Sequence, residues 1–252
     1  MRAGLLLVMT VGAGGLGACG EPSPAATVDA ALTSDAMLDA AVEEGVPLMG
    51  FGDLAGMCGV LNDPELTGAT PVLVRDSLTF ARRYNDPADR PLLTPGGRIL
   101  AATPNAGGSS GFSELFAFEQ LARCERAALV KSETEIVYDT VGKITDILVE
   151  LDGHKIGVSV VRAVAFPFGS TYTVEAATTI IQRKLEDIQL SSMNVSAADR
   201  WVKQVLAVIA YDDQHVEAVA QAWAALATTV RADTVLVVTA THGDDTFLYT
   251  NQ

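Results

Sequence analysis

Apolar positions change period along the chain, and the changes predict its elements. From Lys143 to Phe168 two apolar runs are joined at Asp152-Gly153. Asp-Gly between apolar runs signals a tight hairpin, because glycine accepts the positive φ of a two-residue turn. The second run carries Ile156, Val158, Val160, Val161, Val164 and Phe166. It is apolar on both faces, which predicts an interior strand. Before the hairpin, FSELFAFEQLARCERAALV has apolar residues at 112, 115, 116, 118, 121, 122, 128 and 129, close to helical spacing. Glu114 and Glu119 lie in its first half and Arg123 and Arg126 in its second, an order that suits the helix dipole. A strand is expected at Glu135 to Tyr138. After the hairpin come a helix over 173–190, a buried strand over 201–211, a helix over 214–230 and a buried strand over 234–241. Phe247 to Thr250 is expected to add an edge strand. The order α-β-β-β-α-β-α-β implies an α/β sandwich with a mixed sheet.

Residues 46–111 lack this regularity. Gly, Pro, Asn and Asp recur every few positions, with short apolar runs at Pro71–Val74, Leu78–Phe80 and Ile99–Ala102 between them. The pattern predicts short strands in a loop-rich arm. GGSSG precedes the first long helix, with Ser113 as the expected N-cap. A Gly-rich stretch there could hold an anion, but it lacks the lysine and spacing of a phosphate-binding loop. Ser109-Ser110 has no base near it in sequence.

The N-terminus carries an address. Arg2, an apolar run from Leu5 to Val11, and small residues up to Cys19 read as a secretory signal too short to span a membrane. Leu16-Gly17-Ala18-Cys19 resembles the lipobox of bacterial lipoproteins. The resemblance implies removal of residues 1–18, lipidation of Cys19 with palmitate or a similar acyl chain, and attachment to a membrane. Gly20, in place of Asp, points to the outer membrane of a Gram-negative bacterium. The alternative is an ordinary signal peptide that happens to contain a cysteine. Residues 19–45, rich in Ala, Pro, Ser, Thr and Asp, read as a flexible tether. The expected organisation is signal 1–18, tether 19–45, arm 46–111 and α/β core 112–252.

Charge narrows the partners. The chain has 31 acidic and 17 basic residues, a formal charge of −14 that becomes −15 once Arg2 is lost. That argues against nucleic acid, where basic surface supplies most of the affinity. It leaves a protein or a small ligand as the expected partner, besides the membrane.

The α-β-β-β-α-β order over about residues 112–211 resembles the PD-(D/E)XK nuclease-like superfamily, the restriction-endonuclease-like fold. The resemblance implies an Asp opening the second strand, and an acid and a lysine two residues apart on the third. Together these would bind a divalent metal and activate water. Asp146 stands at the first position, but Ser159 and Val161 fall where the acid and lysine are expected. An active site would need Glu119 as a relocated acid, Lys184 or Arg162 as the cation, and Gln182 in support. Mg²⁺ or Mn²⁺ would be its cofactor, since hard cations take carboxylate oxygens; otherwise no cofactor is expected. His242 with Asp244 and Asp245 after the last strand forms another possible metal group, or a polar turn. His154 and His215 are expected to be exposed. With Cys19 lipidated, Cys58 and Cys124 remain, either as a disulfide or as two buried thiols. Two readings follow: a noncatalytic binding or structural lipoprotein, or a divalent-metal phosphodiesterase working from Asp146.

Overall fold

The structure is a computed structural model, and it describes residues 45–104 and 110–250. These belong to one compact unit. In chain order the elements are β1 (Asp53–Gly56), α1 (Asp63–Thr67), β2 (Val72–Phe80), α2 (Pro95–Ala102), α3 (Gly111–Cys124), β3 (Ala128–Ser132), β4 (Ile147–Leu151), β5 (His154–Ala163), α4 (Val174–Asn194), β6 (Lys203–Ala210), α5 (Asp213–Ala225), α6 (Thr228–Arg231), β7 (Val235–Gly243) and α7 (Phe247–Thr250). The seven strands form one mixed sheet in the order β1-β2-β7-β6-β5-β4-β3. The fold is an α/β sandwich, and the expected run α-β-β-β-α-β is present as α3 to β6.

The β4–β5 hairpin turns at Asp152 (φ 49°) and Gly153 (φ 77°). Positive φ at both turn residues matches the right-handed twist of the flanking strands. β5 pairs antiparallel with β4 and parallel with β6, so it is interior as its two apolar faces require. β6 is buried along its whole length. Its alternate residues divide between the layers: Val205, Ala207 and Ile209 pack towards α3, and Leu206, Val208 and Ala210 towards α4 and α5. Both sheet edges are guarded. β1 is four residues long and ends in glycine, and β3 is irregular between Leu129 and Lys131. Short, bulged or Lys-bearing edges discourage pairing with a foreign strand.

α3 is covered on nearly every side. Its buried residues include Phe116 and Phe118, but also Glu119, Gln120 and Arg123. The stretches on either side of β1 cross its C-terminal end, and consecutive residues hold them there. The Arg123 guanidinium donates to the carbonyls of Leu48, Phe51 and Gly52 at 2.8, 3.0 and 2.8 Å. Cys124 is joined to Cys58 by a disulfide. The Glu125 carboxylate accepts from the backbone N–H groups of Gly59 and Leu61 at 3.1 and 3.0 Å.

Several sequence expectations are corrected. Leu129 and Ala128 do not continue the first helix. The chain reverses at Arg126, in the left-handed region at φ 64°, and they open β3. The strand expected at 135–138 is absent; Tyr138 keeps an isolated bridge to Val195. The two short runs near 71 and 78 are halves of β2, which lies inside the sheet between β1 and β7. Ile99–Ala102 is the end of helix α2, not a strand. Phe247–Thr250 is helical rather than an edge strand. Ser110, not Ser113, occupies the N-cap position of α3. His215 is buried at 1% exposure, stacked on Tyr172 and hydrogen-bonded through Nδ1 to Asp212 at 2.6 Å. Cys19, the tether up to residue 44, and Ser109 lie outside the described residues.

Candidate functional site

Asp146 immediately precedes β4. β4 begins opposite Val158, while β5 continues to Ala163. The overrun leaves β5 backbone groups facing an empty ladder position, and unpaired buried N–H groups are costly. Asp146 fills the gap. Its N–H donates to the Val158 carbonyl at 3.1 Å, and its Oδ2 accepts from the Val160 N–H at 2.7 Å. The same oxygen lies 3.9 Å from Lys184 Nζ on α4, with side chains 18% and 26% exposed. Burial pushes the Asp146 carboxyl above its ordinary range, while Lys184 and the Val160 N–H pull the other way.

The remaining family positions carry no charge. Ser159 is buried, and Val161 packs into the apolar layer beneath α4 and α5. Asp146 also borders a cleft of about 40 Å³, lined further by Leu100, Thr103, Glu114, Ser132 and Glu133. Such a volume suits one or two waters and is well below a ligand pocket of roughly 300 Å³ or more. Neither Glu114 nor Glu133 stands among the sequence-derived site candidates. Glu114 reads there as a first-turn acid favoured by the helix dipole, and here it accepts from the Ser110 hydroxyl.

Glu119 belongs to a different environment. It is fully buried and accepts from the Thr94 N–H at 2.9 Å and the Thr94 hydroxyl at 2.6 Å. Thr94 in turn caps α2 by accepting from the Gly97 N–H at 3.2 Å. A Cβ at Gly97 would stand 2.0 Å from Glu119 Oε1, so the glycine is what admits the carboxylate. Burial raises the Glu119 carboxyl, opposed by Thr94 and by the charges of Arg123 and Arg98. Neither Asp146 nor Lys184 figures among these partners.

The other candidates are dispersed. Gln182 donates to Glu186, one turn along its own helix, at 3.1 Å. Arg162 donates to the Leu248 and Tyr249 carbonyls at 3.3 and 3.1 Å, serving the α7 end. His242 Nε2 is 3.5 Å from Asp213. Asp244 accepts from the Arg83 N–H at 3.0 Å, and Asp245 is buried against Thr241 at 2.5 Å. His242 and Asp244 thus serve separate partners and do not share a metal position. His154 is 2.7 Å from Asp63. Among the described residues, no group of three or more His, Cys, Asp or Glu side chains is placed to hold a metal ion. The fit to a PD-(D/E)XK metal site fails on donor set: one carboxylate already hydrogen-bonded, a serine and a valine.

Fold and site together define a mixed α/β sandwich with a capped Asp–Lys pair where β4 begins. No family model matches the chain. The AAC-rich mRNA clone AAC4 protein of Dictyostelium discoideum is 42% identical over 123 residues, covering 46% of this chain and 18% of that protein. The match therefore spans less than a fifth of that relative. Among solved structures, Pyrococcus furiosus SfsA in complex with Ca²⁺ aligns over 56% of this chain and 69% of its own, with a TM-score of 0.26 and 16% identity.

Proposed function

We propose that this is a lipid-anchored extracytoplasmic protein whose nuclease-like α/β core has a binding or structural role and does not cleave phosphodiesters. The observation that carries the reading is how the Asp146 carboxylate is used. Its Oδ2 is hydrogen-bonded to the Val160 N–H and faces Lys184. The two positions that would complete a metal site are Ser159 and Val161. The relocated acid, Glu119, is turned through Oε1 to Thr94, the N-cap residue of α2. A divalent cation would have to displace these hydrogen bonds, and among the described residues no group of three or more His, Cys, Asp or Glu side chains is placed to compensate. Attachment through Cys19, the outer-membrane destination and a protein or small-ligand partner belong to the same proposal. They are supported by the lipobox-like run and by the acidic charge.

The second reading, a phosphodiesterase using Mg²⁺ or Mn²⁺, draws on the Asp146–Lys184 approach and on the shared cleft with Glu114 and Glu133. Titration with Mn²⁺ followed by electron paramagnetic resonance separates the two. The first reading expects no saturable site. A saturable site in the wild type that Asp146→Ala removes would install the second.

A further inference from the structure

We infer that Asp76 and Gln120 form a proton-operated latch that holds α3 onto β2. On β2, Val74, Leu78 and Phe80 are buried towards α3, and Asp76 occupies the same face among them. The period of the strand asks for an apolar residue there. Asp76 is 6% exposed and Gln120, on α3, 1% exposed. Asp76 Oδ2 accepts from Gln120 Nε2 at 2.6 Å. Asp76 Oδ1 and Gln120 Oε1 are both buried without a partner among the described residues. Thr239 on β7, in register with Asp76, supplies a hydroxyl.

Counting donors explains the two orphaned oxygens. An ionised carboxylate only accepts, and so does the amide oxygen. The cluster then holds more acceptors than donors. One proton on Asp76 turns a surplus acceptor into the missing donor and removes a buried charge.

The surroundings favour that proton. At the C-cap of α3, Glu125 opposes ionisation by its charge. On β1, Gly56 stands opposite Asp76 and brings no side chain. On β2 itself, Arg75 is paired at 3.2 Å with Glu217 of α5. Asp213 and Glu217 of α5 line the cleft beside this stretch of β2. Burial accordingly pushes the Asp76 carboxyl from 3.8 up to about 7, against the pull of Thr239 and Gln120. The sign is fixed. The latch contribution is complete below the unfolded value near 3.8 and is lost as pH rises through about 7. Because the C-terminal end of α3 holds the stretches on either side of β1 through Arg123, Cys124 and Glu125, weakening α3 also weakens that seat.

The test compares unfolding equilibria of the wild type and Asp76→Asn, whose amide mimics the protonated acid, from about pH 5 to about pH 8. Burial also raises the carboxyls of Glu119, Glu125, Asp146 and Asp245. Those of Glu119, Asp146 and Asp245 titrate in both chains and cancel in the difference, while Glu125, coupled to Asp76 by charge, adds to the same pH-dependent term. The unfolding constant of the wild type should rise against the variant by up to about tenfold per pH unit while native Asp76 still holds its proton, and level off above about 7. A difference independent of pH would overturn the latch. Should Asp76→Asn fail to fold, the carboxyl carbon resonance of Asp76 in the wild-type protein decides. A midpoint near 7 supports the proposal, and one in the ordinary carboxylate range defeats it.

Discussion

Asp146 illustrates what one residue reveals before and after folding. That an Asp opens the second core strand was legible from the apolar frame of ITDILVEL. That its carboxylate completes the β5 ladder was not, because this depends on how far β5 overruns β4. Glu119 was misjudged for a related reason. In sequence it suits the first half of a helix. Its burial comes from α2, whose N-terminal residues bring Thr94 and Gly97 to it. We predict that Asp146→Ala, by leaving the Val160 N–H unpaired, lowers stability by about 1–3 kcal/mol. Asp146→Asn, which keeps an accepting oxygen, should cost less. Chemical denaturation of the two variants measures the difference, and equal costs would remove the capping role.

At the scale of elements, the strongly periodic stretches were legible and the short ones were not. The hairpin, α4 and β7 follow from spacing alone, whereas the helix expected over 214–230 breaks at Leu226 and Ala227 into α5 and α6. Four apolar residues at Ile99–Ala102 fit strand and helix equally. The deciding signal was Thr94-Pro95, an N-cap followed by proline at the first helical position. Ala128 and Leu129 continued the helical stripe by coincidence, across a reversal at Arg126 that sequence did not mark. Two predictions belong here. Gly153→Val should cost about 1–2 kcal/mol. It would place a branched side chain at φ 77° where nothing lies within 4 Å, so the penalty is purely conformational. Replacing the disulfide with Cys58→Ser and Cys124→Ser together should cost about 4 kcal/mol in the chain-entropy model, because the bridge spans 66 residues. Thermal melts read both. A double serine variant as stable as the wild type would mean the bridge adds nothing to the hold of Arg123 and Glu125.

At the scale of the whole molecule, the α/β class followed from the alternation of helices and strands. The position of β2 did not. Parallel pairing of Val72–Phe80 with Val235–Gly243 joins segments far apart in sequence, and no local pattern encodes it. The address is a property of the whole chain as well. We predict that cells fed a labelled fatty acid will label the wild type and not Cys19→Ser. Equal labelling of both would end the lipoprotein proposal. The central claim concerns chemistry, and one assay confronts it. Linear and supercoiled DNA are incubated with purified wild type and Asp146→Ala in Mg²⁺ and in Mn²⁺. A metal centre of this kind is worth several kcal/mol of transition-state stabilisation, and each 1.4 kcal/mol is about tenfold in rate. With Ser159 and Val161 in the positions of acid and lysine, the account predicts intact DNA from both proteins. Metal-dependent cleavage by the wild type that disappears in Asp146→Ala would contradict it.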